Sequence, residues 1–238
     1  RNGQVIQDPL DTFHVIDALA KALPVQRVDD AAVGAKDHAE IHGLIGAVAA
    51  DMDIGPVHDA VEAHAPQAQA FLAALGSGCD VVTANKALLA VHGKDIFRLA
   101  TKKGRSVMYE ASVGGGIPLI QSYDGGMSAA RVTEFYGILN GPCNYILSAM
   151  AKDGREYQSV LQEAIDLGYA EPDPTFDVEG TDAGHKVCIL ASKLFNTAIN
   201  FDAIQIEGIS DVTLDDIQFG ERLGYTLKLL AIGKDHGD

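Results

Sequence analysis

The segment EPDPTFDVEGTDAGHK, from Glu171 to Lys186, sets five carboxylates ahead of one lysine. Asp182 and Lys186 stand four residues apart, so on a helix they share one face. A lysine held beside a carboxylate keeps its charge and can donate a proton; desolvated, its pKa falls toward the working pH. The same spacing also describes a surface ion pair at a solvated helix start. The apolar run VCILASKLF that follows puts Lys186 at the edge of a buried helix, which speaks for the acid/base reading. Pro172 and Pro174 keep the approach to that helix extended.

Three other stretches carry candidate chemistry. VVTANK ends a short apolar run in Thr83, Asn85 and Lys86. At the C-terminal end of a parallel strand these polar groups would lie where open sheets bind ligands; the bland alternative is a solvated helix start. EASVGGGIPLI joins Glu110 to Gly114, Gly115 and Gly116, whose backbone carbonyls, with Glu110, could coordinate a hard monovalent cation. The triplet alone equally makes a tight turn. GILNGPCNYIL puts Asn140-Gly141 at a turn and Asn144 near a helix start. A phosphate-binding GxGxxG after a first strand is absent, and Gly43, Gly46 and Gly55 do not reproduce it.

These groups need elements to position them. Val57–Leu75 is Ala-rich with helical spacing, interrupted at Pro66. Val81–Val82 begins a short buried strand, Ala87 onward reads helical, a second helix over Asp95–Lys102 ends at Gly104, and Ser106–Ser112 reads as another strand. That rhythm predicts crossover units and a parallel sheet. Beyond it, Arg131–Leu139 alternates like a sheet with one covered face. Helices are predicted at Tyr145–Lys152, Tyr157–Leu167 and Thr181–Phe195, the last capped by Thr181 or Asp182. FDAIQIEGI alternates again, and TLDDIQFGERLG reads as a cap followed by a helix. The fold class is α/β, an α/β half followed by an α+β half, with the seam near residue 120.

The chain has 238 residues, a net charge of −15, and 47% apolar and 21% charged residues. That balance belongs to a globular protein with a real core. The acidic field argues against nucleic acid and against an anionic membrane surface. No apolar run approaches the roughly 20 residues of a membrane span, and the N-terminal RNGQVIQDPLDTF lacks a signal pattern. Cys79, Cys143 and Cys188 are too few and too scattered for a disulfide framework and fit a reducing compartment. A cytoplasmic location is expected.

The segments DVVTANKALLA, YEASVGGGIPLI, YGILNGPCNYIL and LGYAEPDPTFDVEGTDAGHKVCILAS follow one another in a fixed order, with IEGIS and LGYTLKLLAIGK after them. Over these segments, about residues 79 to 234, the chain resembles homoserine dehydrogenase. The resemblance implies reduction of L-aspartate 4-semialdehyde to L-homoserine with NADPH or NADH. It implies a Rossmann-like cofactor domain, here complete or incomplete, over residues 1–120 and a substrate and dimerisation domain over 121–238, paired as a homodimer. Lys186 matches the family's proton donor and Lys86 the lysine beside the nicotinamide, with Thr83 and Asn85 on the cofactor side. Glu171 and Asp182 match carboxylates that hold the substrate's amino and hydroxyl groups, and Asp177 a further acidic position. Glu110, with the carbonyls of Val113, Gly115 and Ile117, matches a sodium site.

The departures are local. Residues 1–75 show no glycine-rich first turn, Pro142 stands where the family generally has threonine, and the chain stops at GKDHGD with no regulatory domain appended. These point to a truncated or divergent member. Two alternatives stay open: a non-catalytic homologue that binds an amino acid or pairs with a full-length subunit, and a related enzyme acting on another small aldehyde.

Overall fold

The computed structural model of the chain describes residues 65–237, all within one compact unit. The expected phosphate-binding turn and the start of the Val57–Leu75 helix lie outside the described residues. Helix α1 (Ala65–Gly76) carries Pro66 in its first turn rather than being interrupted by it. There the missing N–H is one that no carbonyl would have accepted.

A parallel pair follows, β1 (Val81–Val82) and β2 (Val107–Met108), in register Val81↔Val107 and Val82↔Met108. The crossover between them is one helix, α2 (Lys86–Lys103), rather than the two expected. It runs unbroken through Gly93, which packs against Ile199. Asn85 caps its start by accepting the Leu88 N–H, and Gly104 closes its end in the left-handed region at φ 61°. The second strand is shorter than the sequence suggests: Glu110–Ser112 turns into a 3₁₀ segment, and the one-turn helix α3 (Leu119–Ser122) follows.

The remaining α-helices and β-strands are β3 (Glu134–Gly137), α4 (Gly141–Asp153), α5 (Tyr157–Asp166), the short α6 (Thr175–Val178), α7 (Thr181–Phe195), α8 (Leu214–Arg222) and β4 (Ala231–Lys234). Strands β3 and β4 pair antiparallel. Thr213 and Asp216 form a reciprocal capping box on α8, as its local sequence suggests. The FDAIQIEGI stretch makes no strand. Its alternation comes from packing: Ile206 lies against Gly184 of α7, and the Ile209 N–H bonds the Val178 carbonyl at 2.7 Å.

Apolar clusters hold these pieces. Ile146 and Met150 of α4 join Val160 of α5 and Ile217 of α8. Leu89 of α2 joins Val113, Ile120 of α3, and Ile189 and Leu190 of α7. Each such fully buried side chain contributes about 1.5–3 kcal/mol. The second cluster fixes the start of α2 beside the first half of α7.

The β3–β4 pairing depends on one missing side chain. Gly233 faces Phe135 across the ladder, and a Cβ at residue 233 would lie 2.2 Å from Phe135 Cε1. Phe135 in turn packs on Phe195 of α7, with ring centroids 5.5 Å apart. Gly233→Ala is expected to destabilise the chain by about 1–3 kcal/mol in urea unfolding. Adding Phe135→Leu should recover part of that loss, because it removes the clashing ring edge.

Candidate active site

Helix α7 begins at Thr181 with Gly180 in the capping position at φ 83°, not with Thr181 or Asp182 as the cap. The physical reason is that the Asp182 carboxylate turns inward instead of back to its own amides. Its Oδ2 accepts from Lys186 Nζ at 2.6 Å and from Asn140 Nδ2 at 2.9 Å. Its Oδ1 lies 3.3 Å from Lys86 Nζ. Asp182 is 5% exposed, while the lysine side chains keep 24% (Lys86) and 18% (Lys186) of their surface. One buried carboxylate thus holds two ammonium groups from two helices.

Lys186 donates a second bond to the Leu139 carbonyl at 2.6 Å. Two of its three N–H groups are therefore spent, and one remains for the cleft that Lys186 lines. Lys86 sits over the Phe176 ring, 5.7 Å from its centroid, and Phe176 packs on His185. Asn140 ends the β3–α4 connection as the cap of α4, accepting the Cys143 N–H at 2.8 Å. Its amide also donates to Asp177 Oδ1 at 2.6 Å.

The two aspartates ionise in opposite directions. Burial pushes the Asp182 pKa up, yet Lys186, by charge and hydrogen bond, together with Asn140 and Lys86, brings it below the ordinary 3.8. At an effective dielectric near 20, a cation about 4 Å away contributes on the order of 4 kcal/mol, enough to keep the buried carboxylate ionised. Asp177 is also raised by burial; the Asn140 hydrogen bond opposes this, the Asp182 charge adds to it, and the Lys186 and Lys86 charges offset a part without an ion pair to it among the described residues. Its pKa ends above the ordinary value.

Lys86 and Lys186 face one open cleft of about 520 Å³, lined also by Ala84, Ser112, Gly115 and Leu139. Ala84 follows β1 and Ser112 follows β2, so the cleft lies at the C-terminal edge of the parallel pair, where such sheets take nucleotides. Gly115 adopts φ 58°, and a Cβ there would meet no atom within 4 Å. Bare backbone on this wall suits close approach of a flat ring. Thr83 and Asn85 stand beside it: the Thr83 hydroxyl accepts the Asn85 N–H, and Asn85 donates to Gln67 of α1.

Glu171, Glu110 and Ile117 stand apart from this cluster. Glu171 is exposed and makes no hydrogen bond or ion pair with the cluster. The Glu110 carboxylate accepts the Ile120 and Gln121 N–H groups at 2.9 and 2.7 Å, capping α3. The Ile117 carbonyl accepts the Leu119 N–H. The sequence marks Asn140 only as part of a turn. Its Asn-Gly-Pro sequence signals a helix start, but nothing local shows what the other end of the amide meets.

A family model described as homoserine dehydrogenase matches residues 118–234, and a second, described as the homoserine dehydrogenase NAD-binding domain, matches residues 14–110. The chain belongs to the homoserine dehydrogenase family. The homoserine dehydrogenase of Neisseria gonorrhoeae is 48% identical over 71% of this chain and 39% of that relative; that of Pseudomonas aeruginosa is 46% identical over 79% and 43%. The homoserine dehydrogenase structure from Thiobacillus denitrificans superposes with a TM-score of 0.69 at 45% identity, covering 71% of this chain and 39% of that one. The chain thus spans less than half the length of these relatives. The fold is α/β and Rossmann-like with a small parallel sheet, and the NAD-binding domain makes the cofactor class a nicotinamide dinucleotide. Among the described residues no helix is long and apolar enough to cross a membrane, and no three His, Cys, Asp or Glu gather to hold a metal.

Stability should follow the two carboxylates. Asp182, depressed, contributes stability that is full above the ordinary carboxylate pKa and lost as pH falls through its folded value. Asp177, raised, contributes below the ordinary value and loses that contribution as pH rises through its folded value. Asp182→Asn is expected to remove about 3–5 kcal/mol at neutral pH, because two ammonium groups are left uncompensated. Its share of the acid-side decline should vanish. Asp177→Asn should leave neutral-pH stability unchanged or higher. Urea unfolding from acid to neutral pH measures both.

Proposed function

We propose that this chain is the catalytic part of a homoserine dehydrogenase, interconverting L-aspartate 4-semialdehyde and L-homoserine with NADPH or NADH. The observation that carries the reading is the pair of ammonium groups on Asp182, both facing the cleft beside the parallel strands. The nicotinamide, when bound, supplies or accepts the hydride. Everything else falls to side chains of this chain. Lys186 directs its remaining N–H at the carbonyl oxygen, stabilises the negative charge that builds there, and donates the proton. Asp182 keeps that ammonium charged and aimed. Lys86 adds a second positive charge at the same wall and, with Thr83 and Asn85, would flank the cofactor. Asp177, Asp182 and Glu171 would supply the acceptors that an amino-acid ammonium needs.

The same reading takes residues 1–120 as the cofactor domain and 121–238 as the substrate and dimerisation domain of a cytoplasmic homodimer. Glu110 with the carbonyls of Val113, Gly115 and Ile117 would hold a sodium ion, and the carbonyls of Val113 and Gly115 accept no hydrogen bond among the described residues.

Titration with NADPH and NADH, followed by cofactor fluorescence, and an assay of homoserine oxidation at alkaline pH test the reading. Binding is expected, and Lys186→Ala should lower kcat by about 10²–10⁴-fold with the fold intact. A folded chain that binds neither cofactor, or a Lys186→Ala variant as active as its parent, would contradict it.

A further inference from the structure

We propose that Asn140 is a positioning residue for this site: one amide, pinned by the first turn of α4, holds Asp177 and Asp182 apart in unequal roles. Its functional consequence rests on the proposed role of Lys186 as proton donor. The orientation of the amide leaves no choice. Its Oδ1 accepts the Cys143 N–H at 2.8 Å, so both hydrogens of Nδ2 point the other way, one to Asp177 Oδ1 at 2.6 Å and one to Asp182 Oδ2 at 2.9 Å. A flipped amide would set its oxygen against two carboxylates and leave the α4 N–H unpaired. Asn140 is 2% exposed, so water does not compete for these bonds.

The groups facing the pair come from three helices. Lys86 reaches in from α2 and Lys186 from α7, and both contact Asp182. From α4, Asn140 contacts both carboxylates, and the Cys143 thiol donates to the Asp177 main-chain carbonyl at 3.2 Å. Burial first, then the Asp177 and Asp182 charges, push that thiol up to about 12, so it stays an S–H donor and adds no charge. Asp177 itself belongs to α6. Asn140 is therefore the one group among these that bonds to both carboxylates, and the neutral donor that counters the burial of Asp177.

Without the bridge, two consequences separate. Asp182 still has both lysines and stays ionised. Asp177 loses the hydrogen bond that most opposes its desolvation, keeps only the more distant Lys186 and Lys86 charges, and takes up a proton at higher pH, which also frees it to swing toward the Asp182 oxygen that aims Lys186. Asn140→Ser isolates this effect, because serine caps a helix about as well as asparagine but brings one hydrogen where the amide brings two. Carbon-13 carboxyl titrations of Asp177 and Asp182 should show the Asp177 midpoint moving to higher pH in Asn140→Ser, with Asp182 moving less. The acid limb of the homoserine-oxidation profile should move the same way, and kcat should fall about ten- to a hundredfold, the equivalent of one charge-assisted hydrogen bond. If both carboxyl titrations coincide with the parent's in a folded Asn140→Ser chain, the proposal is overturned. If the parent oxidises no homoserine but the Asp177 titration still moves, the bridge stands and the proposed function fails. Should Asn140→Ser not fold, the parent protein answers alone: the Asn140 side-chain amide must be protected from exchange and its signals must follow the Asp177 titration. Solvent-like exchange there would overturn the bridge.

Discussion

A carboxylate taken out of water survives as an anion only if its surroundings replace the lost hydration, and at Asp182 two lysines and an amide do so. Removing Asp182 would leave both ammonium groups without their counter-charge, so it is the group the other three depend on. The rest of the described fold can be understood as what delivers them to one point. Helix α2 begins with Lys86, α4 is capped by Asn140, and α7 carries Asp182 and Lys186 in its first two turns. Three helix starts converge, and their unpaired N–H ends favour negative charge at that place.

Apolar packing, rather than the ion pairs, fixes the convergence. Leu89, Ile189 and Leu190 lock α2 against α7, one to two turns beyond the charged residues. On the opposite side of α7 the Ile206–Ser210 segment lies close against the α6–α7 corner, where a Cβ at Gly208 would sit 2.5 Å from the Val178 carbonyl. The charged face and the packed face of one helix are thereby held from both sides. Such a frame lets Lys186 keep one donor aimed at a cleft without the entropy loss of ordering a mobile side chain at each encounter.

What the sequence made legible was local. The Asp182–Lys186 pair follows from i,i+4 spacing, the α7 span from its apolar run, and the α8 capping box from Thr213 and Asp216, because each depends on neighbours within one or two turns. What it hid was long-range. The Asn140 amide meets side chains 37 and 42 residues away, and no turn signal encodes that approach. The two helices expected over α2 merge because Gly93 faces Ile199, a contact across the fold. FDAIQIEGI has the pattern of a strand but the surroundings of a packed coil. The Glu110 carboxylate accepts the Ile120 N–H ten residues on, a contact that no local pattern encodes.

The claim at the centre is that Lys86 and Lys186 share a single ionised, buried aspartate beside the cleft. Nitrogen-15 spectra of the lysine ammonium groups test it most directly. The account predicts two ammonium signals at neutral pH that exchange slowly with water, both lost to fast exchange in Asp182→Asn, with the Lys186 signal moving when homoserine is added. Two ammonium groups that exchange as fast as those of exposed lysines, unaffected by that substitution, would contradict it.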